Sequence, residues 1–231
     1  MKRVLAACAL FALAACSPSN NEPTTGAPAS SSSATTATNV PAGDYTLDKA
    51  HASLIFRVSH LGFSNYTARF KRFDAKLQFD PANLGASRAT ATIDTRSIET
   101  DFPDPAKLDF NAQLQNAQWL DTAKYPEITF RSIRIEATEP NVLRVHGELT
   151  LHGVTRLLTL DAKFNGGYAG HPLDPQARIG FSARSLLKRS EFGIAFGVPA
   201  PGSKFGVGDE VEVLIEAEFS GPAWTAPPSQ K

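Results

Sequence analysis

The sequence is poor in cysteine, has no dominant charge and carries no apolar run of membrane-spanning length. Its two cysteines, Cys8 and Cys16, both fall within the first sixteen residues. The rest of the chain therefore has no internal disulfide and no cysteine metal site. Lys and Arg number 23, Asp and Glu number 23, and the formal net charge is zero. Nucleic-acid binders normally carry a basic excess, which this chain lacks. The balance also argues against a polybasic membrane-surface protein. No Gly-x-Ser-x-Gly elbow, His-Glu-x-x-His pair, Walker loop or complete Gly-x-Gly-x-x-Gly is present. A Ser-His-Asp set assembled from distant strands stays open, because such sets are defined by geometry.

What is present begins with an address. Lys2 and Arg3 precede an apolar run of twelve residues, Val4 to Ala15. A spanning helix needs about 20, so residues 1–15 read as a signal peptide. Leu13-Ala14-Ala15-Cys16 matches the bacterial lipobox, which marks Cys16 for diacylglyceryl attachment. Leu5-Ala6-Ala7-Cys8 has the same letters but almost no apolar run before it. An ordinary secretory peptide with a chance cysteine is the alternative. Acyl chains contribute about 0.8 kcal/mol per buried CH₂, and two or more hold a protein stably on a membrane. Ser17 rather than aspartate after Cys16 points to the outer membrane, with the domain in the periplasm. Residues 17–42 are mostly Ser, Thr, Ala, Pro, Asn and Gly with Glu22 as the sole charge. With Cys16 they are predicted to form a disordered tether. Such a linker spans about 28 Å on average. Residues 222–231 are a short disordered tail.

Between them, residues 43–221 form one predicted β-domain. Leu54, Phe56 and Val58 alternate with polar neighbours, as do Phe73, Ala75, Leu77 and Phe79. The same period of two runs through Ala89 to Ile93, Leu143 to Leu151, Leu158 to Phe164 and Val211 to Phe219. It marks strands with one buried and one wet face. Phe70 is out of step with Phe73, and Phe130 with Ile133 and Ile135. Bulges at Lys71-Arg72 and near Arg131-Ser132 would restore register. Leu151-His152-Gly153-Val154 reads as a tight hairpin turn in which Gly153 takes positive φ. In Pro105 to Leu120, Phe110, Leu114 and Ala117 sit at helical spacing, and Pro126 opens the next strand. At least eight strands and one helix predict a closed or nearly closed antiparallel barrel, with a sandwich as the alternative. A barrel of eight strands is wide enough for one small ligand.

Single residues discriminate less. None of His51, His60, His146, His152 and His171 pairs at a standard zinc spacing. His51 and His60, nine apart, would face opposite sides of one uninterrupted strand. The bland reading of each is a solvated or hydrogen-bonded imidazole. Glu212, Glu216 and Glu218 read as a solvated sheet face. The many phenylalanines on the inner face either fill the interior or surround an apolar guest.

Several blocks in order resemble one family. They are Asp48-Lys-Ala-His51-Ala-Ser-Leu-Ile-Phe56-Arg-Val-Ser-His60, Ser97-Ile98-Glu99-Thr100, and Trp119-Leu120-Asp121 with Tyr125-Pro126. Leu149-Thr-Leu-His152-Gly153-Val-Thr155, Arg189-Ser-Glu-Phe-Gly193 and Gly208-Asp-Glu-Val211 complete them. The domain resembles the YceI-like, polyisoprenoid-binding proteins over about Tyr45 to Phe219. The resemblance implies an extended lipocalin-like barrel whose interior holds a long amphiphile, such as an isoprenoid quinone or fatty-acid derivative. Many members carry Arg-Asp-x-His-Leu in the helix; here Phe110-Asn111-Ala112-Gln113-Leu114 stands in its place. Asn111 and Gln113 can still hydrogen-bond an uncharged head group.

The expectation is therefore a binding module rather than an enzyme, without cofactor or metal. The residues expected to line its cavity are Phe56, Val58, Phe73, Leu77, Phe79, Ile93, Phe110, Leu114, Trp119, Phe130 and Phe181. The membrane is a partner through lipidated Cys16, and a homodimer is compatible with the chain. Two other readings stand beside it. One is a structural or stress-related envelope lipoprotein with a filled barrel. The other is a lipid-modifying enzyme with His51, His60 or His152 as acid or base.

Overall fold

The computed structural model describes residues 39–223. The leader, Cys16, most of the tether and the end of the tail lie outside them. Ten strands and one helix follow in chain order among the described residues: β1 Gly43–His60, β2 Ser64–Phe70, β3 Phe73–Phe79, β4 Arg88–Asp94, β5 Ile98–Glu99, α1 Phe110–Gln115, β6 Glu127–Glu139, β7 Val142–Leu151, β8 Val154–Tyr168, β9 Gln176–Lys188 and β10 Val207–Ala223. Eight of the strands close into an antiparallel ring in the order β1-β3-β4-β6-β7-β8-β9-β10, and β10 pairs back with β1. The barrel expected from the alternation is thus present. β1 changes partner along its length. Gly43 to Thr46 pair with β3, whereas Ile55 to His60 pair with β2. β5 adds to the free side of β2 through Arg69↔Glu99 and Phe70↔Ile98.

Side-chain parity explains most of the ladder. On β7, Leu143, Val145, Leu149 and Leu151 are buried, and Arg144 between them is exposed. Gly147 belongs to the same inner row. A Cβ there would come within 2.4 Å of the Phe130 ring, so this glycine makes room for the aromatic opposite. The β6 bulge falls between Ser132 and Arg134. It leaves Ile133 48 % exposed and returns Ile135 to the interior. Buried Ser132 accepts a hydrogen bond from the Ala89 amide at 2.8 Å.

The expected bulge at Lys71-Arg72 is instead a strand boundary. Phe70 ends β2 and Phe73 opens β3. The Lys71 and Arg72 amides bond the Ser97 carbonyl and hydroxyl, each at 3.0 Å. The predicted helix is shorter than its pattern. Asp109 caps it by accepting from the Ala112 amide at 2.8 Å. It ends at Gln115 because the chain folds back, with the Leu120 amide on the Leu114 carbonyl at 3.1 Å. The β7–β8 turn is as tight as predicted, and His152 joins Gly153 at positive φ, 51° and 74°. Both domain limits also shift outward. Val40, expected in the tether, is only 5 % exposed, and the Tyr45 hydroxyl donates to the Pro41 carbonyl at 2.7 Å. β10 continues to Ala223.

The two ends of the barrel close differently. At one end an aromatic plug is built from Tyr45, Phe79, Phe164, Phe181 and Phe219, with successive ring centroids 5.4 to 6.2 Å apart. At the other, loops fold over the interior around Arg189, which is 4 % exposed. Its guanidinium donates to the carbonyls of Gly208, Ile194, Phe196 and Val207 at 2.7 to 3.0 Å. Burial lowers its pKa, with Asp209 opposing.

On the outer wall near the plug, residues 48–51 bulge out of β1 between Leu47↔Phe219 and Ala52↔Ala217. Asp48 ties the bulge down. Its Oδ2 accepts from Arg178 Nη1 at 2.8 Å and sits 3.1 Å from His51 Nδ1. That hydrogen bond raises the His51 pKa and lowers that of Asp48.

Arg189→Leu leaves four carbonyls unpaired and lowers stability by about 3–5 kcal/mol in urea denaturation, and Arg189→Lys restores only part of it. A loss below about 1 kcal/mol would show that the loops close without the guanidinium. A raised histidine pKa gives stability that is full below the ordinary 6.5 and lost as pH rises through the folded value. The depressed Asp48 works oppositely, contributing above 3.8 and losing its contribution as pH falls through the folded value. The melting temperature therefore declines shallowly from about pH 6 to about pH 8, and His51→Ala flattens that decline. An unaltered slope in His51→Ala would assign it to another group.

Candidate functional site

The interior of the ring is not filled. A cavity of about 720 Å³ runs between the aromatic plug and the loop end. Its walls are almost entirely carbon. The physical cause is the meeting of a fixed ring size with small inward residues. Eight strands set the diameter, and Ala75, Ala89, Ala91 and Ala183 face the space from β3, β4 and β9. A filled barrel would bury every inward side chain. Here Phe56, Val58, Phe73 and Val213 point inward and remain only partly buried.

All eleven residues expected around a cavity do line this one. Phe56 and Val58 come from β1, Phe73, Leu77 and Phe79 from β3, Ile93 from β4, Phe130 from β6 and Phe181 from β9. Phe110 and Leu114 reach it from α1, and Trp119 from the segment after it. Parity also marks Leu54, Leu158, Leu160, Val211, Val213 and Ile215, which line it too. Phe102, Ile194 and Val207 line it without any periodic signal, because loops and strand ends place them.

Polar groups at the wall are few, and most are spent. The Tyr66 hydroxyl donates to the Thr100 carbonyl at 3.0 Å. Arg189 is committed to backbone carbonyls, and its guanidinium lies 5.4 Å from the Trp119 ring centroid. Phe196 packs edge-on against the same indole at 5.3 Å. The Trp119 Nε1 is buried and has no acceptor among the described residues. Gln113 lines the cavity and is half-buried.

Asn111 does not line it. Its Oδ1 accepts from the Thr100 amide at 2.9 Å and hydroxyl at 2.6 Å, and its Nδ2 donates to Glu99 at 3.1 Å. Those bonds fasten α1 to β5 and hold the Glu99 carboxyl below its ordinary pKa. Asn111 is therefore a structural staple. Sequence spacing missed this because its partners are eleven and twelve residues away across a turn.

The histidines do not converge on one centre. His60 lines the cavity at the loop end. His152 lies in the β7–β8 turn with Nδ1 3.1 Å from the Phe192 carbonyl and its ring 4.4 Å from that of Tyr125. His51 is on the outer wall, where Asp48, His51 and Glu218 bring three potential metal-ligand atoms within 4.8 Å of one another. Arg178 already occupies Asp48 there, and His51 and Glu218 are 63 % and 52 % exposed. A hydrated, cation-paired cluster of this kind is a surface feature rather than a reaction centre.

The comparisons with known proteins agree with this architecture. The family model described as the YceI-like domain matches residues 45–219. Protein YceI of Escherichia coli O157:H7 is 36 % identical over 181 residues, covering 77 % of this chain and 86 % of that protein. The crystal structure of Burkholderia cenocepacia BcnA superposes with a TM-score of 0.62 at 26 % identity, over 74 % of this chain and 98 % of that one. A polyisoprenoid binding domain from Saccharophagus degradans, implicated in plant cell wall breakdown, shares the fold. Its TM-score is 0.54 at 18 % identity, over 77 % of this chain and 98 % of that one. With most of its length matched by the family model and its barrel shared with these structures, the chain belongs to the YceI-like family.

Proposed function

We propose that the chain is an envelope lipoprotein that binds a long-chain amphiphile, such as an isoprenoid quinone, inside its barrel. Cys16 holds it at the outer membrane, with the barrel in the periplasm. The observation that carries the reading is the carbon-walled cavity of about 720 Å³. Ligand pockets typically fall between about 300 and 1,000 Å³. The polyisoprenoid named for the Saccharophagus domain is a ligand of matching chemistry. Burying ten CH₂ groups contributes about 8 kcal/mol, and association and chain ordering oppose this by several kcal/mol. Micromolar binding needs about 8.2 kcal/mol net, so a longer chain that buries more than ten such groups reaches it without a charged contact, which suits a wall whose guanidinium is already engaged by backbone. Gln113 is the side chain placed to meet an uncharged head group.

The energetic logic makes occupancy depend on volume. Ala91→Phe keeps the wall apolar and fills space, so it weakens binding of a long-chain ubiquinone at least about tenfold in a Trp119 fluorescence titration. It leaves the fold intact. Phe56→Arg places an unpaired charge in the cavity and abolishes binding. Native mass spectrometry of the full-length chain, released from micelles, reads co-purifying lipid directly. A folded Ala91→Phe variant with unchanged occupancy would place the ligand elsewhere and overturn the proposal.

A further inference from the structure

Two loops at the loop end of the barrel converge on one tip. The Leu61 amide bonds the Gly206 carbonyl at 2.8 Å, and the Val207 amide bonds the Gly197 carbonyl at 2.8 Å. A Cβ on Gly62 would come within 2.9 Å of Lys204 Cδ, and one on Gly206 within 2.5 Å of the Gly197 carbonyl. Segments 61–64 and 195–206 are thus packed together. They carry one charged side chain between them, Lys204. They also display large apolar groups in water. Phe63 is 84 % exposed, Phe205 81 % and Phe196 47 %. A soluble surface rarely leaves such a group of aromatics uncovered without a binding role.

The tip is continuous with the cavity. Phe196 packs on Trp119, which lines the interior. His60, just before the first segment, and Val207, just after the second, line it as well. Apolar rings around a cationic lysine, with no carboxylate in either segment, suit an anionic bilayer surface. Rings at such an interface bury their faces among acyl chains while the lysine meets phosphate.

We infer that this tip docks into the bilayer surface and presents the loop end of the cavity to membrane lipid. The inference rests on the lipid reading of the cavity, from which it takes its occupant. It assigns Phe63, Phe205 and Lys204 a role outside the binding wall. A ligand that leaves a bilayer here passes from acyl chains to Trp119 without crossing bulk water.

The test reads contact by position rather than by total binding. Phe63→Trp, Phe205→Trp and, as control, Leu173→Trp are made in the full-length chain. Leu173 is 93 % exposed and sits in the β8–β9 connection, remote in the chain from both tip segments. Each variant is bound to phosphatidylcholine vesicles with about 25 % phosphatidylglycerol and brominated acyl chains, and the parent signal is subtracted. The added indoles at 63 and 205 are quenched at least about twofold more than the one at 173. Equal quenching at all three positions overturns the inference. So does shielding of 63 and 205 without vesicles in a dimer, which would make the tip a contact between copies. Phe63→Ser/Phe205→Ser slows ubiquinone uptake from vesicles about tenfold and leaves affinity for micelle-delivered ubiquinone unchanged. Micelle-delivered quinone that binds while the tip stays unquenched refutes docking and leaves the lipid reading intact. A quenched tip without quinone binding refutes the lipid reading and leaves docking intact.

Discussion

Everything in this molecule depends on how β1 is paired. Its eighteen residues give one edge first to β3 and then to β2, while β10 runs along the other edge. The β10 pairing closes the ring, and a closed ring removes the exposed edges that an open sheet presents. Closure also fixes the diameter, so the inner volume is decided before any side chain is placed. Phe130, Leu149 and Leu151 then fill part of it, and Ala75, Ala91 and Ala183 do not. The cavity is the remainder. The change of partner has a second consequence. β2 leaves the barrel wall where β3 begins, and the gap between them must be covered. Ser97 bonds the chain at Lys71 and Arg72, and Phe110 packs edge-on against Tyr66 at 5.5 Å. The short helix exists to cover that gap.

This explains which features the sequence made legible. Strand faces were readable wherever one residue in two meets the interior, as along β7 and β10. The β6 bulge was readable because Phe130 and Ile135 must both point inward. Phe70 and Phe73 gave the same signal for a different reason. Their slip marks a chain that leaves one strand and starts another, and periodicity cannot separate the two cases. Asn111 and Arg189 were illegible in another sense. Arg189 acts through backbone carbonyls brought near by tertiary folding, which carry no sequence signal, and Asn111 acts through Thr100 and Glu99, which only the turn between them brings within reach. The helix was overestimated because apolar spacing persists to Ala117, although the Leu120 amide pulls the chain back onto Leu114.

The residues that carry the family resemblance are mostly not the residues that touch the cavity space. Gly153 lies under the Tyr125 ring, where a Cβ would come within 2.5 Å of it. Asp209 accepts from the Ser190 amide at 2.9 Å and hydroxyl at 2.8 Å. Ser97 accepts from Arg72, and Arg189 gathers four carbonyls. These groups build turns, the gap cover and the loop end. They specify a scaffold with an interior, and the alternating apolar residues between them decide what the interior accepts. Family membership therefore speaks strongly for the barrel and weakly for the identity of its guest.

The unequal ends of the barrel determine where a guest can enter. Opening the plugged end would separate stacked and edge-on rings and expose Val40, Tyr45 and Phe79, all of them buried. That cost scales with apolar area and belongs to the global stability of the fold. At the loop end the closing contacts are hydrogen bonds from one guanidinium and a few amides, which water can replace if the loops lift together, beside the smaller apolar packing of Phe192, Ile194 and the Phe196–Trp119 pair. Opening there moves a largely exposed loop rather than ring strands, which makes local opening the easier of the two. The same end carries exposed aromatics beside Lys204, and it is where His60 and Val207 border the cavity. Entry, contact with a lipid surface and the least costly opening coincide at one end because the other is closed by buried, mutually packed rings.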